Sequence, residues 1–184
     1  MTNFPVLNLD NAPSGSINLL QQTQKNFGFV PNIIGVMATS PSLTDAYLTV
    51  AGIFSKSTLT PTEQQIVLLT VSHYHECCYC MAAHTAIAGM QKVDSSVVQS
   101  IRDDQPIADT KLEVLRNFTT LLIEKRGWVN EQDIQTFLNA GYNSTNMLDI
   151  LVGVAQKTLS NFTNHIAKTP LDEAFAEVAW SPKV

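Results

Sequence analysis

The chain has 184 residues, room for one sizeable core or for two small halves that share one. Hydrophobic residues make up 45% and charged residues 15%, with a mean hydropathy of +0.05, so part of the apolar surface is expected to be buried between subunits. The formal charge is −5 with no basic cluster, which argues against a nucleic-acid partner, and no apolar run approaches the ~18 residues of a membrane span.

Residues 1–16 read as an extended arm, with Pro5, Pro13 and Gly15 and little periodicity. Met1-Thr2-Asn3-Phe4-Pro5 has neither the charged start nor the apolar core of a signal peptide, and a cytoplasmic address is expected. A single domain over 17–184 follows. Ser16 is expected to cap a helix over Ile17 to Asn26, broken by Phe27-Gly28-Phe29-Val30-Pro31, and Asn32 to cap a short helix through Ala38. Ser40-Pro41 opens a third, to about Ser55. Thr60-Pro61-Thr62-Glu63 is a capping box for a helix that carries Ile66, Val67, Leu68, Leu69 and Val71, too apolar all round for a surface helix.

A helix bearing the cysteines runs to about Gly89, and Asp94 caps another before a loop over Asp103 to Ile107. A helix from about Asp109 to Lys125 ends at Gly127. Asn130 caps Glu131 to Asn139, and Gly141 stops it. Ser144 or Thr145 is expected to cap a long helix through Ala167, closed by Thr169-Pro170, with a last turn over Leu171 to Val178. No stretch alternates like a strand, so the fold is expected to be all-α. The arrangements around Ser55 to Leu69 and Glu124 to Leu138 echo one another, each followed by a His-bearing helix (His84, His165), which suggests a duplicated helical unit.

The most informative segment is Cys77-Cys78-Tyr79-Cys80-Met81-Ala82-Ala83-His84. At about 100° per residue, Cys77, Cys80 and His84 share one helical stripe, while Cys78 and Tyr79 point elsewhere. Two thiols that can close to a disulfide beside a proton-moving imidazole are the minimum equipment for thiol redox chemistry. A thioredoxin-like reading would need a preceding strand, and the segment before the cysteines is a capped apolar helix. His73, Cys77, Cys80 and His84 supply zinc-type ligands, but four ligands on one straight helix cannot surround an ion. The bland alternative is a set of small buried cysteines with His84 satisfied by a neighbour.

The chain resembles the AhpD-like alkylhydroperoxidase family, which includes the carboxymuconolactone decarboxylases, from about Phe27 to Ala174. The resemblance rests on Leu59-Thr60-Pro61-Thr62-Glu63-Gln64-Gln65-Ile66-Val67, Val71-Ser72, Cys77-Cys78-Tyr79-Cys80 and His84-Thr85. Phe27-Gly28-Phe29-Val30-Pro31-Asn32 and Ser160-Asn161-Phe162-Thr163-Asn164-His165 resemble signatures of the peroxidase-related branch. The resemblance implies Cys80 as the peroxidatic cysteine, Cys77 as the resolving one and His84 as the relay histidine, with no cofactor and no metal. Sulfenic acid on Cys80 would condense with Cys77 about one turn away, and an external dithiol would reopen the disulfide. It further implies a homo-oligomer, trimer or hexamer, and a reductant such as a lipoylated protein.

The family's relay carboxylate falls here at Gln65, which can orient an imidazole but cannot take its proton. Glu63 lies about 200° away around the helix. Glu76, beside Cys77, is an alternative source of charge or a surface carboxylate. Tyr79 stands where some relatives have a histidine, and either joins the relay or packs. His73, His75, His165 and Asn161 read as pocket-rim, packing or interface residues, and so do Trp128 and Trp180. The expected function is thiol-dependent reduction of alkyl or hydrogen peroxides. Its alternatives are a non-catalytic dithiol switch or binding module, and a decarboxylase-like enzyme acting on a small acid or lactone.

Overall fold

Nine α-helices and a terminal 3₁₀ turn, with no strand, make up residues 4–183, the part of the chain that the computed structural model describes. Residues 1–3, part of the stretch read as an arm, and Val184 lie outside it. The helices are α1 Ser14–Phe27, α2 Asn32–Met37, α3 Pro41–Phe54, α4 Pro61–Tyr74 and α5 Cys78–Met90. They continue with α6 Ser95–Arg102, α7 Thr110–Glu124, α8 Glu131–Asn139 and α9 Ser144–Ala167, before the 3₁₀ turn Glu173–Val178.

Most of the expected caps form. Ser40 Oγ accepts from Leu43 N and Asp94 caps α6, while Asp109, read as the start of α7, serves as its cap. The Thr60–Glu63 box is reciprocal: Thr60 N donates to Glu63 Oε2 at 2.8 Å and Glu63 N to Thr60 Oγ1 at 3.3 Å. Three caps differ. α1 starts at Ser14 behind Pro13, and Ser16 lies inside it, its hydroxyl donating to Ala38 O at 2.8 Å in a buried contact. Asn32 is the first residue of α2 rather than its cap, and its amide donates to Pro170 O at 3.1 Å. Neither Ser144 nor Thr145 caps α9. Asn143 does, in a reciprocal pair with Asn146 at 3.1 and 2.9 Å, because the amide side chain reaches the third backbone N–H.

α4 is the axle of the fold, with every residue from Glu63 to Ser72 buried against α5, α6, α7 and α9. Its all-round apolar character is therefore satisfied inside the subunit, not at a subunit contact. α9 crosses it closely at Gly153, where an added Cβ would lie 2.7 Å from Val67 Cγ1 and 2.8 Å from Phe54 Cζ. Only glycine fits that crossing. The larger of two buried clusters surrounds α4, drawing on α5 to α9 and on Phe54 of α3, with Phe137 stacked between Phe118 and Tyr142 at 4.3 and 4.5 Å. The smaller cluster joins α1, α2, α5 and the 3₁₀ turn, and it contains both Cys77 and Cys80.

Candidate functional site

The joint between α4 and α5 sets the cysteines in place. Glu76 takes a left-handed backbone (φ 52°), while its N–H donates to His73 O and that of Cys77 to Ser72 O, each at 2.9 Å. This is a Schellman turn with a non-glycine residue in the left-handed position. Glu76 is exposed, and its role is to turn the chain. The turn leaves Cys77 at the N-cap of α5 and Cys80 in its first turn, where the positive end of the helix dipole favours a thiolate.

Cys77, Cys80 and His84 are all buried, as the shared stripe predicts, and Cys78 is exposed. One amide reaches both sulfurs: Asn164 Nδ2, on α9, donates to Cys80 Sγ at 3.2 Å and to Cys77 Sγ at 3.6 Å. Ser160 Oγ, one turn earlier on α9, lies 3.7 Å from Cys80 Sγ. Burial by itself would push the Cys80 thiol up. The hydrogen bond from Cys77, the charge of Lys157 and hydrogen bonding with Ser160 outweigh it and hold Cys80 well below the usual thiol range. Cys77 moves the other way, raised by its hydrogen bond to Cys80 and by burial. The opposed shifts favour the thiolate at Cys80 and the thiol at Cys77.

His84 Nδ1 lies 3.1 Å from Gln65 Oε1, and Gln65 Nε2 donates to Gln91 Oε1 at 3.1 Å. With Gln65 Nε2 committed to Gln91, its oxygen accepts from His84 Nδ1–H, which leaves Nε2 of the imidazole as an acceptor. Burial, reinforced by Lys157, pushes the His84 pKa well down and keeps the ring neutral. Gln65 therefore orients His84. Glu63 is occupied by the α4 cap and an ion pair with Lys111 at 3.6 Å.

Tyr79 lies off the reactive stripe. Its hydroxyl donates to Asp172 and accepts from Ile33 N at 3.3 Å, while Asp172 also accepts from Asn32 N at 3.1 Å. The ring sits edge-on to Phe175 at 6.2 Å. Tyr79 thus ties α5 to α2 and the C-terminal turn. His73 packs on Trp180 at 5.3 Å, away from the cysteines, so the four residues of the zinc-type stripe do not converge. His75 Nδ1 lies 3.1 Å from Asn161 Oδ1, and His165 stacks on Phe162. Trp180 Nε1 donates to Arg102 O at 2.9 Å, whereas Trp128 is 87% exposed.

A cavity of about 270 Å³ opens onto this dithiol. Phe27, Phe29, Ile33, Ile34, Leu48 and Phe175 form its apolar walls. At its reactive end stand Cys80, His84, Tyr47, Gln156, Lys157 and Ser160. Lys157 is 1% exposed, a buried cation absent from the site expected on sequence grounds. Its inward neighbours on α9 are Gly153, Gln156, Ser160, Asn161 and Asn164, all buried and all small or polar. That stripe, at helical spacing on an otherwise apolar helix, was the available signal.

Residues 41–105 match the sequence model of the carboxymuconolactone decarboxylase family, a narrower span than the 27–174 resemblance but one that contains the cysteines and His84. Solved structures extend the likeness over almost the whole chain. An uncharacterised peroxidase-related protein from Ralstonia eutropha JMP134, described as an alkylhydroperoxidase AhpD core, superposes with a TM-score of 0.83 at 21% identity, covering 94% of this chain and 93% of that one. Residues 41–105 are thus similar to this family, and the chain as a whole has an AhpD-like fold. A second neighbour, an uncharacterised peroxidase-related protein from Silicibacter sp. TM1040, gives a TM-score of 0.79 at 18% identity over 95% and 92% of the two chains. The debrominase Bmp8 in complex with 2,3,4-tribromopyrrole shares the AhpD-like fold at 0.76, with 18% identity over 96% and 95%. No curated protein matches the sequence significantly.

Proposed function

We propose that the protein is a thiol-dependent peroxidase that reduces alkyl or hydrogen peroxides through a Cys77–Cys80 dithiol. The observation that carries this reading is the divided pair: Cys80 held as thiolate at the end of an apolar cavity, with Cys77 as thiol bridged to it by one Asn164 amide. A thiolate is the nucleophile that attack on an O–O bond requires. Its sulfenic acid would form with Cys77 already in reach, and condensation yields disulfide and water. His84, oriented by Gln65, serves as an acceptor that positions the peroxide O–H, and Tyr79 holds the cysteine helix against the cavity wall. The peroxidase-related neighbours favour the same reading. No cofactor or metal enters it. An external dithiol, such as a dihydrolipoyl group on a partner protein, supplies the electrons. A homo-oligomer, trimer or hexamer, also belongs to the reading, supported by the exposed apolar residues Leu148, Leu151, Phe162 and Ile166 along α9.

The test is turnover with cumene hydroperoxide, hydrogen peroxide and several dithiols. A peroxidase consumes many equivalents, and a redox switch stops after one. Cys80→Ser should abolish both consumption and sulfenic acid, whereas Cys77→Ser should trap sulfenic acid on Cys80. A trapped sulfenic acid on Cys77 would reverse the roles, and one on Cys78 would end the model. A second reading rests on the apolar cavity and the debrominase neighbour: the same dithiol removing halogen from a brominated heteroaromatic. Bromide release from a bromopyrrole without peroxide turnover would select it.

A further inference from the structure

Lys157 has no role in the sequence reading, yet the site is built around it. It is fully buried on α9 and lines the cavity together with Cys80, Gln156 and Ser160. Among the described residues, no carboxylate forms an ion pair with it. The titratable groups acting on it or near it are Tyr47 from α3, Cys77 and Cys80 at the start of α5, His84 one turn on, and His75 in the α4–α5 joint. His75 and His84 are both held down by burial, and the Tyr47 hydroxyl is pushed up by burial. Of these groups, the Cys80 thiolate is therefore the counter-ion present near neutral pH. Beside Lys157, Gln156 is buried and its Oε1 has no hydrogen-bond partner, an open acceptor at the reactive end of the cavity.

We propose that Lys157 is both the charge partner of the Cys80 thiolate and the proton carrier of the reaction. This rests on the peroxidase reading above. Neutral His84, with Nδ1–H committed to Gln65, offers a lone pair to the cavity and has no proton to give a departing oxygen. Lys157 has one. The His84 lone pair accepts the hydroperoxide O–H, beside the open acceptor Gln156 Oε1. The Cys80 thiolate attacks the terminal oxygen; an S–O bond forms and the O–O bond breaks. Sulfur is oxidised by two electrons, and the alkoxide oxygen leaves with a proton from the Lys157 ammonium, giving alcohol, sulfenic acid and neutral amine. An ammonium buried without its anion is costly, so consuming the thiolate drives this transfer.

The amine then takes the Cys77 thiol proton, and the new thiolate displaces hydroxide from Cys80. That hydroxide regains the proton from Lys157 and leaves as water. Reduction by an external dithiol returns two protons, one to the Cys77 thiol and one to Lys157, and restores the Cys80 thiolate. Lysine shifts its pKa readily when buried, which suits it to give and take one proton per step.

The test separates charge from proton transfer, in a Cys78→Ser background so that only the buried thiols report. Thiolate absorbance and alkylation by iodoacetamide, whose iodide leaves without a proton, are followed against pH for Lys157 and for Lys157→Met. Single-turnover oxidation by cumene hydroperoxide is followed alongside. The expected result is a rise of the Cys80 pKa in Lys157→Met, with alkylation at neutral pH about tenfold slower. At a pH high enough to ionise Cys80 fully, alkylation should recover while oxidation stays about tenfold slower. Recovery of both rates would overturn the proton-carrier role, and an unchanged alkylation profile would overturn the charge role. Should Lys157→Met not fold, Lys157→Gln gives the same comparison. If the unsubstituted protein oxidises with no hydroperoxide, the peroxidase reading fails, while the alkylation profile still decides the hold of Lys157 on Cys80.

Discussion

Asn164→Leu links reactivity to stability at a single side chain. The amide does two opposite things: its Nδ2 donates to both sulfurs, while its Oδ1 is buried without a partner. A hydrogen bond to a charged group contributes about 1.5–3 kcal/mol, and each pKa unit corresponds to about 1.4 kcal/mol. Loss of the 3.2 Å bond should therefore raise the Cys80 pKa by about one to two units. Where that pKa exceeds the pH, alkylation should slow by roughly 10- to 100-fold. On the stability side, removing the unpartnered Oδ1 relieves about 1–3 kcal/mol, against an overpacking cost of about the same size for the bulkier leucine. The lost bond to the thiolate is not offset, so the melting temperature should fall by roughly 3–12 °C at neutral pH, and by less at a pH low enough to protonate Cys80. The assay is iodoacetamide alkylation against pH in the Cys78→Ser background, with thermal melts beside it. A folded Asn164→Leu protein with an unchanged alkylation profile would refute the assignment of Asn164 as the thiolate's donor.

Three further predictions follow from the same geometry. His84 is held neutral in the folded state, with a pKa well below the ordinary value of about 6.5. As pH falls through about 6.5 the unfolded chain binds that proton first, so stability should drop by up to about 1.4 kcal/mol per pH unit, and less in His84→Gln. Urea midpoints at three pH values read this, and a midpoint that rises in acid contradicts it. Gly153→Val forces a side chain to within 2.7–2.9 Å of Val67 and Phe54, where overpacking costs about 1–3 kcal/mol, so the melting temperature should fall by several degrees. Gln65→Glu places a carboxylate where His84 Nδ1–H already points, which should raise the His84 pKa and speed peroxide turnover, but only while His84 is present. An equal effect in a His84→Ala background would disconnect the two.

Helix order was legible in the sequence because its punctuation is local chemistry. Thr60-Pro61-Thr62-Glu63, Asp94 and Asn130 each bond within three residues of themselves, so no tertiary knowledge is needed to read them. Two of the three caps that differed, at Ser16 and Asn32, belong to side chains captured by distant partners, Ala38 and Pro170, while the third moved by one residue to Asn143. The cysteine stripe was legible for the same local reason. Lys157 was not, because a lysine reads as a surface residue unless its helix face is known. The inward face of α9 becomes visible only once Gly153, Ser160 and Asn164 are seen to share it. Likewise, nothing local links Tyr79 to Asp172, which lie 93 residues apart.

The Tyr79–Asp172 tie also divides the labour of the chain. The groups that handle sulfur and protons stand on α5 and α9, while Phe27, Phe29, Ile33, Ile34 and Phe175, which form much of the apolar wall, come from the first quarter of the chain and its tail. A substitution in those terminal stretches acts first on what the chamber admits, and one at Asn164 of α9 acts first on the dithiol, while Gln156, Lys157 and Ser160 bear on both. Such a molecule can change its diet while keeping its chemistry, because the two are written largely in separate parts of the sequence, which meet at Tyr79 through Asp172, Ile33 and Phe175.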